Sequence, residues 1–115
     1  MIRAAQTIEK DLISDTALQE VVKGRHYWEL APEGEETDLI VFRISEESRR
    51  TKDGAFGYQV EFFCFSKTLT GAAQLSDLLK TALIKTNYRY QGGTSGYSDA
   101  EAREGYIKLN FNFKL

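Results

Sequence analysis

The chain has 115 residues, with 15 lysines and arginines against 17 aspartates and glutamates, and a formal net charge of -2. This length is typical of one globular domain, and we expect residues 1–115 to form a single domain. The near balance of charge disfavours sequence-specific nucleic acid as a partner, because such proteins carry a strongly basic face. One cysteine excludes an internal disulfide, and one histidine leaves little for a metal site.

No apolar stretch has the length of a signal peptide or a membrane span. Residues 1–6 lack the apolar region of a signal peptide. The longest apolar run, residues 39–42, is far shorter than the roughly 20 residues that a membrane helix needs. We therefore expect no membrane partner and a reducing cytoplasm, in which Cys64 stays a free thiol.

Helix is predicted over residues 3–23, because apolar residues recur there on one helical face. Those positions are Ile8, Leu12, Ile13, Ala17, Val21 and Val22. A break at Asp15 or Thr16 would divide the stretch into two helices, with either residue as the second N-cap. Gly24 is the predicted stop, since glycine adopts the left-handed conformation without a Cβ penalty.

Two strands with polar connections are predicted next. Residues 25–30 form a short aromatic strand, and residues 31–38 form an acidic turn. Residues 38–45 form a strand with an apolar centre, which is typical of a strand covered on both faces. Residues 46–54 are polar and end in Asp-Gly, which predicts a long hairpin loop.

The third predicted strand, residues 55–66, carries two different faces. One face is apolar throughout, with Phe56, Tyr58, Val60, Phe62 and Cys64. The other turns apolar only at Phe63 and Phe65. Two alternatives remain open for this pair: either the N-terminal helix covers them, or they form an exposed apolar patch of the kind that marks an interface.

A helix is predicted over residues 69–86, with Thr68 or Thr70 as its N-cap and Asn87 as its end. Its apolar face consists of Ala72, Leu75, Leu78, Leu79, Ala82 and Leu83.

The remainder of the chain predicts two more strands. Residues 88–91 form a strand that enters a turn-rich stretch at 92–96, and residues 98–103 form a turn of helix or a loop. Residues 107–115 alternate cleanly between apolar and polar side chains, which predicts a closing strand. The order α(α)-β-β-β-α-β-β indicates an α+β fold, with a mainly antiparallel sheet of four to five strands and helices packed on it.

The sequence offers little for catalysis. His26 could act as a general base only with a partner group, which no motif marks, and Cys64 has the aromatic setting of a buried hydrophobic residue. The acidic residues 33–38 lack the pattern of a calcium loop, and the stretch 92–96 lacks the lysine of a phosphate-binding loop. We expect no catalytic residue, no cofactor and no metal.

Five residues are candidates for an interface. Arg49, Arg50 and Lys52 concentrate positive charge at the tip of the predicted hairpin, although neighbouring acids also make a solvated loop a reasonable interpretation. A long polar hairpin is suited to reaching a neighbouring subunit. Phe63 and Phe65 complete the set as the apolar candidates.

The distribution of elements resembles that of small phage tail-completion proteins, which include tail terminators and head–tail joining proteins. The resemblance is carried by the opening helix, by residues 17–25 ahead of the first strand and by residues 39–42 after a proline-containing loop. It continues through residues 58–66, which resemble the long central strand, and the helix at residues 72–83.

The resemblance implies a structural role without catalytic residues. Proteins of this group form rings, commonly hexamers, at the end of the tail tube and join it to the head. It therefore implies a homo-oligomeric ring, tail-tube and head-connector proteins as partners, and a place in the virion tail after assembly in the host cytoplasm. Ring closure requires a heterologous interface.

Two alternatives come from the residues alone. The first is a small-molecule or peptide-binding module with an aromatic pocket formed by Tyr27, Trp28, Tyr88 and Tyr90. The second is a small enzyme that pairs His26 with a carboxylate.

Overall fold

The computed structural model describes residues 1–34, 37–46, 57–97 and 105–114. Within these residues the chain forms α1 (Ile2–Ser14), α2 (Thr16–Val22), β1 (His26–Trp28), β2 (Leu39–Glu46), β3 (Gly57–Ser66), α3 (Leu69–Ile84), β4 (Arg89–Tyr97) and β5 (Gly105–Lys114). The described part of the chain contains no helix with the length and apolarity needed to cross a membrane.

The five described strands form one sheet in the order β1-β2-β3-β5-β4. β1 runs parallel to β2, and the other three pairs are antiparallel. The predicted α+β class, the element order and the mainly antiparallel sheet are therefore confirmed.

The break between α1 and α2 occurs at Asp15. Its backbone is extended, and its Oδ1 accepts a hydrogen bond from the N–H of Leu18 at 2.9 Å. Such a cap satisfies one of the four N–H groups that a helix start leaves unpaired. Asp15 is thus the cap of α2, and Thr16 is its first residue. At the other end, Lys23 and Gly24 both adopt positive φ, which stops the helix where the sequence predicts.

All three described helices contribute to a core on one side of the sheet, which we call the covered face. Phe42, Phe62 and Phe111 are its fully buried aromatic side chains. Ile8 and Leu12 of α1 belong to the same buried cluster, which also includes Leu18, Val22, Leu75, Leu79 and Leu83 of the other helices. Burial of each large apolar side chain stabilises the fold by about 1.5–3 kcal/mol, so this layer supplies most of the driving force.

The predicted turn at residues 92–96 is wrong, because these residues form the middle of β4. Pairing with β5 runs from Arg89 opposite Asn112 to Tyr97 opposite Gly105, with a bulge between Tyr90 and Gly92. The partner strand overrides the turn-like composition, since each paired residue satisfies backbone groups that a turn would leave to water.

Two glycines of β4 serve this close pairing. A Cβ at Gly93 would lie 2.9 Å from the carbonyl oxygen of Lys108, and one at Gly96 would lie 2.9 Å from the Tyr106 Oη. Glycine is therefore used here for close approach to β5 rather than for a turn.

Other element ends differ by a few residues from the prediction. α3 ends at Ile84 and β5 begins at Gly105. Of the predicted loop at 46–54, Glu46 is the last residue of β2 and the rest lies outside the described residues, as does the predicted helical turn or loop at 98–103. Thr68 is the N-cap of α3: its Oγ1 accepts a hydrogen bond from the N–H of Gly71 at 3.0 Å.

The cap predicts different effects for two neighbouring threonines. Thr68→Ala should lower the free energy of unfolding by about 1 kcal/mol, because the N–H of Gly71 loses its acceptor. Thr70→Ala is the matched control and should change stability by less than about 0.5 kcal/mol. Urea unfolding followed by circular dichroism measures both, and equal losses would contradict the assignment of Thr68.

Candidate functional site: the open face of the sheet

The side of the sheet opposite the covered face carries an aromatic triad, formed by Phe63, Phe65 and Tyr106. Side chains alternate along a strand, so Phe63 and Phe65 point away from the buried Phe62 and Cys64. The ring centroids of the triad lie 6.0–6.3 Å apart. Each of the three side chains is half-buried. We call this side the open face, since the described helices pack on the other.

An apolar groove lies beside the triad. It encloses about 380 Å³, and its lining includes Leu30, Val41, Phe63 and Phe65. Leu30 is 82% exposed, the highest value among the described large apolar residues. A leucine in water next to an apolar groove resembles the anchors of protein interfaces more than it resembles a core residue.

Charges around the groove are balanced in pairs. Arg43 Nε lies 3.4 Å from Glu29 Oε2 at the rim. Further along the open face, Lys108 Nζ lies 3.0 Å from Glu61 Oε2 and 5.9 Å from the centroid of the Phe63 ring. Pairs this exposed contribute little to stability. Their effect is to neutralise the two cations, which leaves a surface suited to an apolar protein partner rather than to phosphate.

Among the predicted interface residues, the structure brings Phe63 and Phe65 together in the triad. The alternative in which the N-terminal helix covers them is wrong: α1 lies on the covered face, where Ile8 and Leu12 join the core. Arg49, Arg50 and Lys52 lie outside the described residues, so their role as contacts stays a prediction.

His26 does have a carboxylate neighbour, although the setting is structural. Its Nδ1 lies 2.5 Å from Glu9 Oε2, joining β1 to α1. The contact lacks the alignment of a hydrogen bond, and Nε2 has no hydrogen-bond partner among the described residues. Only 4% of the side chain is exposed, so the ring is positioned to hold the helix on the sheet rather than to reach a substrate.

The four aromatic residues of the alternative binding pocket do not meet. Tyr27 and Trp28 belong to β1, and Tyr88 and Tyr90 lie at the start of β4, the opposite edge of the sheet. Tyr88 is buried, with its ring centroid 4.9 Å from that of Phe113. The strand order, which local sequence patterns do not reveal, separates the two pairs.

The fold also bears on two other kinds of site that the sequence brings up, a phosphate-binding loop and a metal site. The glycine-rich stretch 92–96 is a strand rather than a loop for phosphate. In the part of the chain that the structure describes, no three or more histidine, cysteine or acidic side chains are placed to hold a metal ion.

Two residues of the open face were not singled out from the sequence. Leu30 stands next to an acidic, proline-containing passage that indicates only a solvated turn. Tyr106 lies one residue before the predicted start of the last strand. Because β5 begins at Gly105, Tyr106 lies two residues before Lys108 on the same strand and shares the open face with it.

The fold has a solved counterpart. It is similar to a chain in a structure described as "Virion of native gene transfer agent (GTA) particle", with a TM-score of 0.71 and 12% sequence identity. The match covers 91% of this chain and 88% of that chain. No family model matches this chain, and no curated protein sequence matches it. At this identity the likeness shows a shared fold.

Cys64 should be unreactive in the native protein. It is fully buried, and burial raises the pKa of its thiol well above the usual range, so the nucleophilic thiolate is suppressed. We expect a thiol reagent such as Ellman's reagent to label Cys64 only as fast as the protein unfolds. The control is the same protein in denaturant, where labelling should be immediate; rapid native labelling would contradict the buried assignment.

Proposed function

We propose that this chain is a non-enzymatic structural protein of a phage or phage-like virion. The observation that carries the proposal is the likeness of fold to a chain from a gene transfer agent virion, which extends over nearly the full length of both chains. The open face supports it, because an apolar groove with neutralised charges is suited to binding protein.

The more specific proposal is a tail-completion role. In this proposal copies of the chain form a ring, which we expect to be hexameric, at the end of the tail tube and join it to head-connector proteins. Support comes from the resemblance of residues 17–25, 39–42, 58–66 and 72–83 to such proteins. The protein would then be made in the host cytoplasm and end in the virion tail.

The open face is the proposed contact surface of this role. Phe63 and Phe65 provide rigid aromatic area, and Leu30 provides an aliphatic anchor at the groove. Interfaces concentrate their binding energy in a few such residues near the centre of the contact. Arg49, Arg50 and Lys52 are proposed as additional polar contacts from the β2–β3 connection.

Two exposed aliphatic residues offer a matched test. Leu30→Ser should weaken ring formation or binding to tail-tube protein by about tenfold or more, because it removes the anchor from the groove. Ile84→Ser is the control: Ile84 is 55% exposed at the end of α3 and does not line the groove. Native mass spectrometry and sizing of the protein with its tail-tube partner measure assembly.

Neither substitution should change the free energy of unfolding by more than about 0.5 kcal/mol, since both side chains are largely in solvent. Equal assembly by the two variants would exclude the groove as the contact. A wild-type protein that assembles neither alone nor with tail-tube and head-connector proteins would count against the virion role itself.

A further inference from the structure

The two edge strands of the sheet, β1 and β4, differ in length and in the hydrogen bonding of their outward backbone groups. The β1 edge is only three residues long, and local turns use two of its outward backbone groups: His26 N–H donates to Gly24 O, and Leu30 N–H donates to Trp28 O, both at 2.9 Å. The β4 edge is nine residues long, and no backbone hydrogen bond joins its outer side to any other described residue. Among the described residues, the β1 edge is therefore short and partly used by local turns, whereas the outer side of β4 is long and has no backbone partner.

The direction of each backbone group on β4 follows from the ladder. Ile40 N–H and Phe42 O bond to Arg25 and Glu29, which flank β1, so the even residues of β2 direct their backbone groups towards β1 and the odd residues towards β3. The same alternation can be followed through the paired residues of β3 to β5, whose even residues direct their backbone groups towards β4. Thr94 and Gly96, opposite Lys108 and Tyr106, thus bond inward.

It follows that Gly93, Ser95 and Tyr97 direct their N–H and C=O groups outward. All three are exposed. Open edges are commonly protected by charge, proline or a very short strand. Between Gly92 and Tyr97 this edge has neither charge nor proline, and its bulge lies outside that stretch, before Gly92.

We propose that the β4 edge pairs with the same edge of a second copy, antiparallel about a twofold axis at Ser95. In this register Ser95 faces Ser95 of the other copy, and Gly93 faces Tyr97. Every outward donor then meets an outward acceptor, because residues 93, 95 and 97 all belong to the outward set. The two five-stranded sheets become one sheet of ten strands.

The side chains match the same register. Tyr97 is 59% exposed in the single copy and stands opposite a residue with no side chain. The surface around Gly93 is partly apolar, since a Cβ there would lie 3.0 Å from Leu109 Cδ2 and 3.1 Å from Tyr90 Oη. The Tyr97 ring of one copy thus covers the bare backbone of the other, as Tyr106 covers Gly96 within a copy. In a pair of identical copies, the Gly93–Tyr97 contact occurs on both sides of the twofold axis. An unrelated strand would have to carry a small and an aromatic residue at matching positions by coincidence.

This contact is separate from the open-face groove and does not depend on the virion role. A ring requires a heterologous contact, whereas the β4 pairing is isologous and closes after two copies. It shares no residue with the groove.

Ser95 allows the pairing to be tested without disturbing the β4–β5 ladder. Ser95→Pro removes the outward N–H alone, and Ser95→Lys places like charges opposite each other with the backbone unchanged. Each should raise the dissociation constant of the dimer by about tenfold or more, since the change occurs twice per dimer. Ser95→Val keeps the N–H and should preserve the dimer. Sedimentation velocity over a concentration series measures association, and circular dichroism confirms folding.

Crosslinking supplies the register. Ser95→Cys should form a covalent dimer on oxidation, because directly opposed residues of a hydrogen-bonded pair lie about 5.5 Å apart, within disulfide reach. Gln74→Cys, exposed on α3, should not. A wild-type protein that is monomeric at every concentration overturns the proposal, as does a dimer that survives Ser95→Lys. Loss of the dimer with retained ring assembly would leave the tail-completion role standing.

Discussion

The antiparallel pairing of β3 with β5 is the contact on which the rest of the fold depends. It joins the sequence-distant segments Gly57–Ser66 and Gly105–Lys114 over ten residue pairs in one unbroken register. Because the side-chain period of a strand is two, this register decides that Phe62 and Phe111 share one face and that Phe63 and Lys108 share the other. If β3 slipped by one residue, Phe63 and Phe65 would turn towards the core and Phe62 would turn towards water.

The local patterns were sufficient to predict every element of the described chain in its type and order. The alternation at residues 107–115 and the apolar face of α3 are strong signals, because a single hydrophobic period identifies each element without any knowledge of its neighbours in the fold. The stretch 92–96 failed because its composition favours a turn, and only the long partner strand makes glycine useful there for close approach. Composition carries no information about which backbone lies alongside.

The candidate site was predictable to a lesser degree. Phe63 and Phe65 could be assigned to a shared face from their spacing, but whether a helix covered that face depended on where α1 packs. Leu30 gave no signal, because a single leucine in a polar passage is uninformative until the sheet lies beneath it. The aromatic pocket that includes Tyr27 and Tyr88 is a wrong prediction of another kind. Both residues are aromatic and lie near predicted strands, but the strand order separates them by the width of the sheet.

Helix α1 makes side-chain contacts near both edges of the sheet, with His26 of β1 and with Tyr88, which precedes β4. Glu9 meets His26 of β1, and Asp11 Oδ2 accepts a hydrogen bond from Tyr88 Oη at 2.7 Å, across 77 positions of sequence. A contact between residues this far apart in sequence requires the intervening chain to close as a loop, at a cost in entropy, before the contact can stabilise the fold. Contacts of this kind slow folding. On the ribosome, α1 is synthesised before Tyr88, so the Asp11 contact cannot form until Tyr88 has emerged. The apolar face of α1 therefore lacks this contact, and is available to chaperones, throughout that interval.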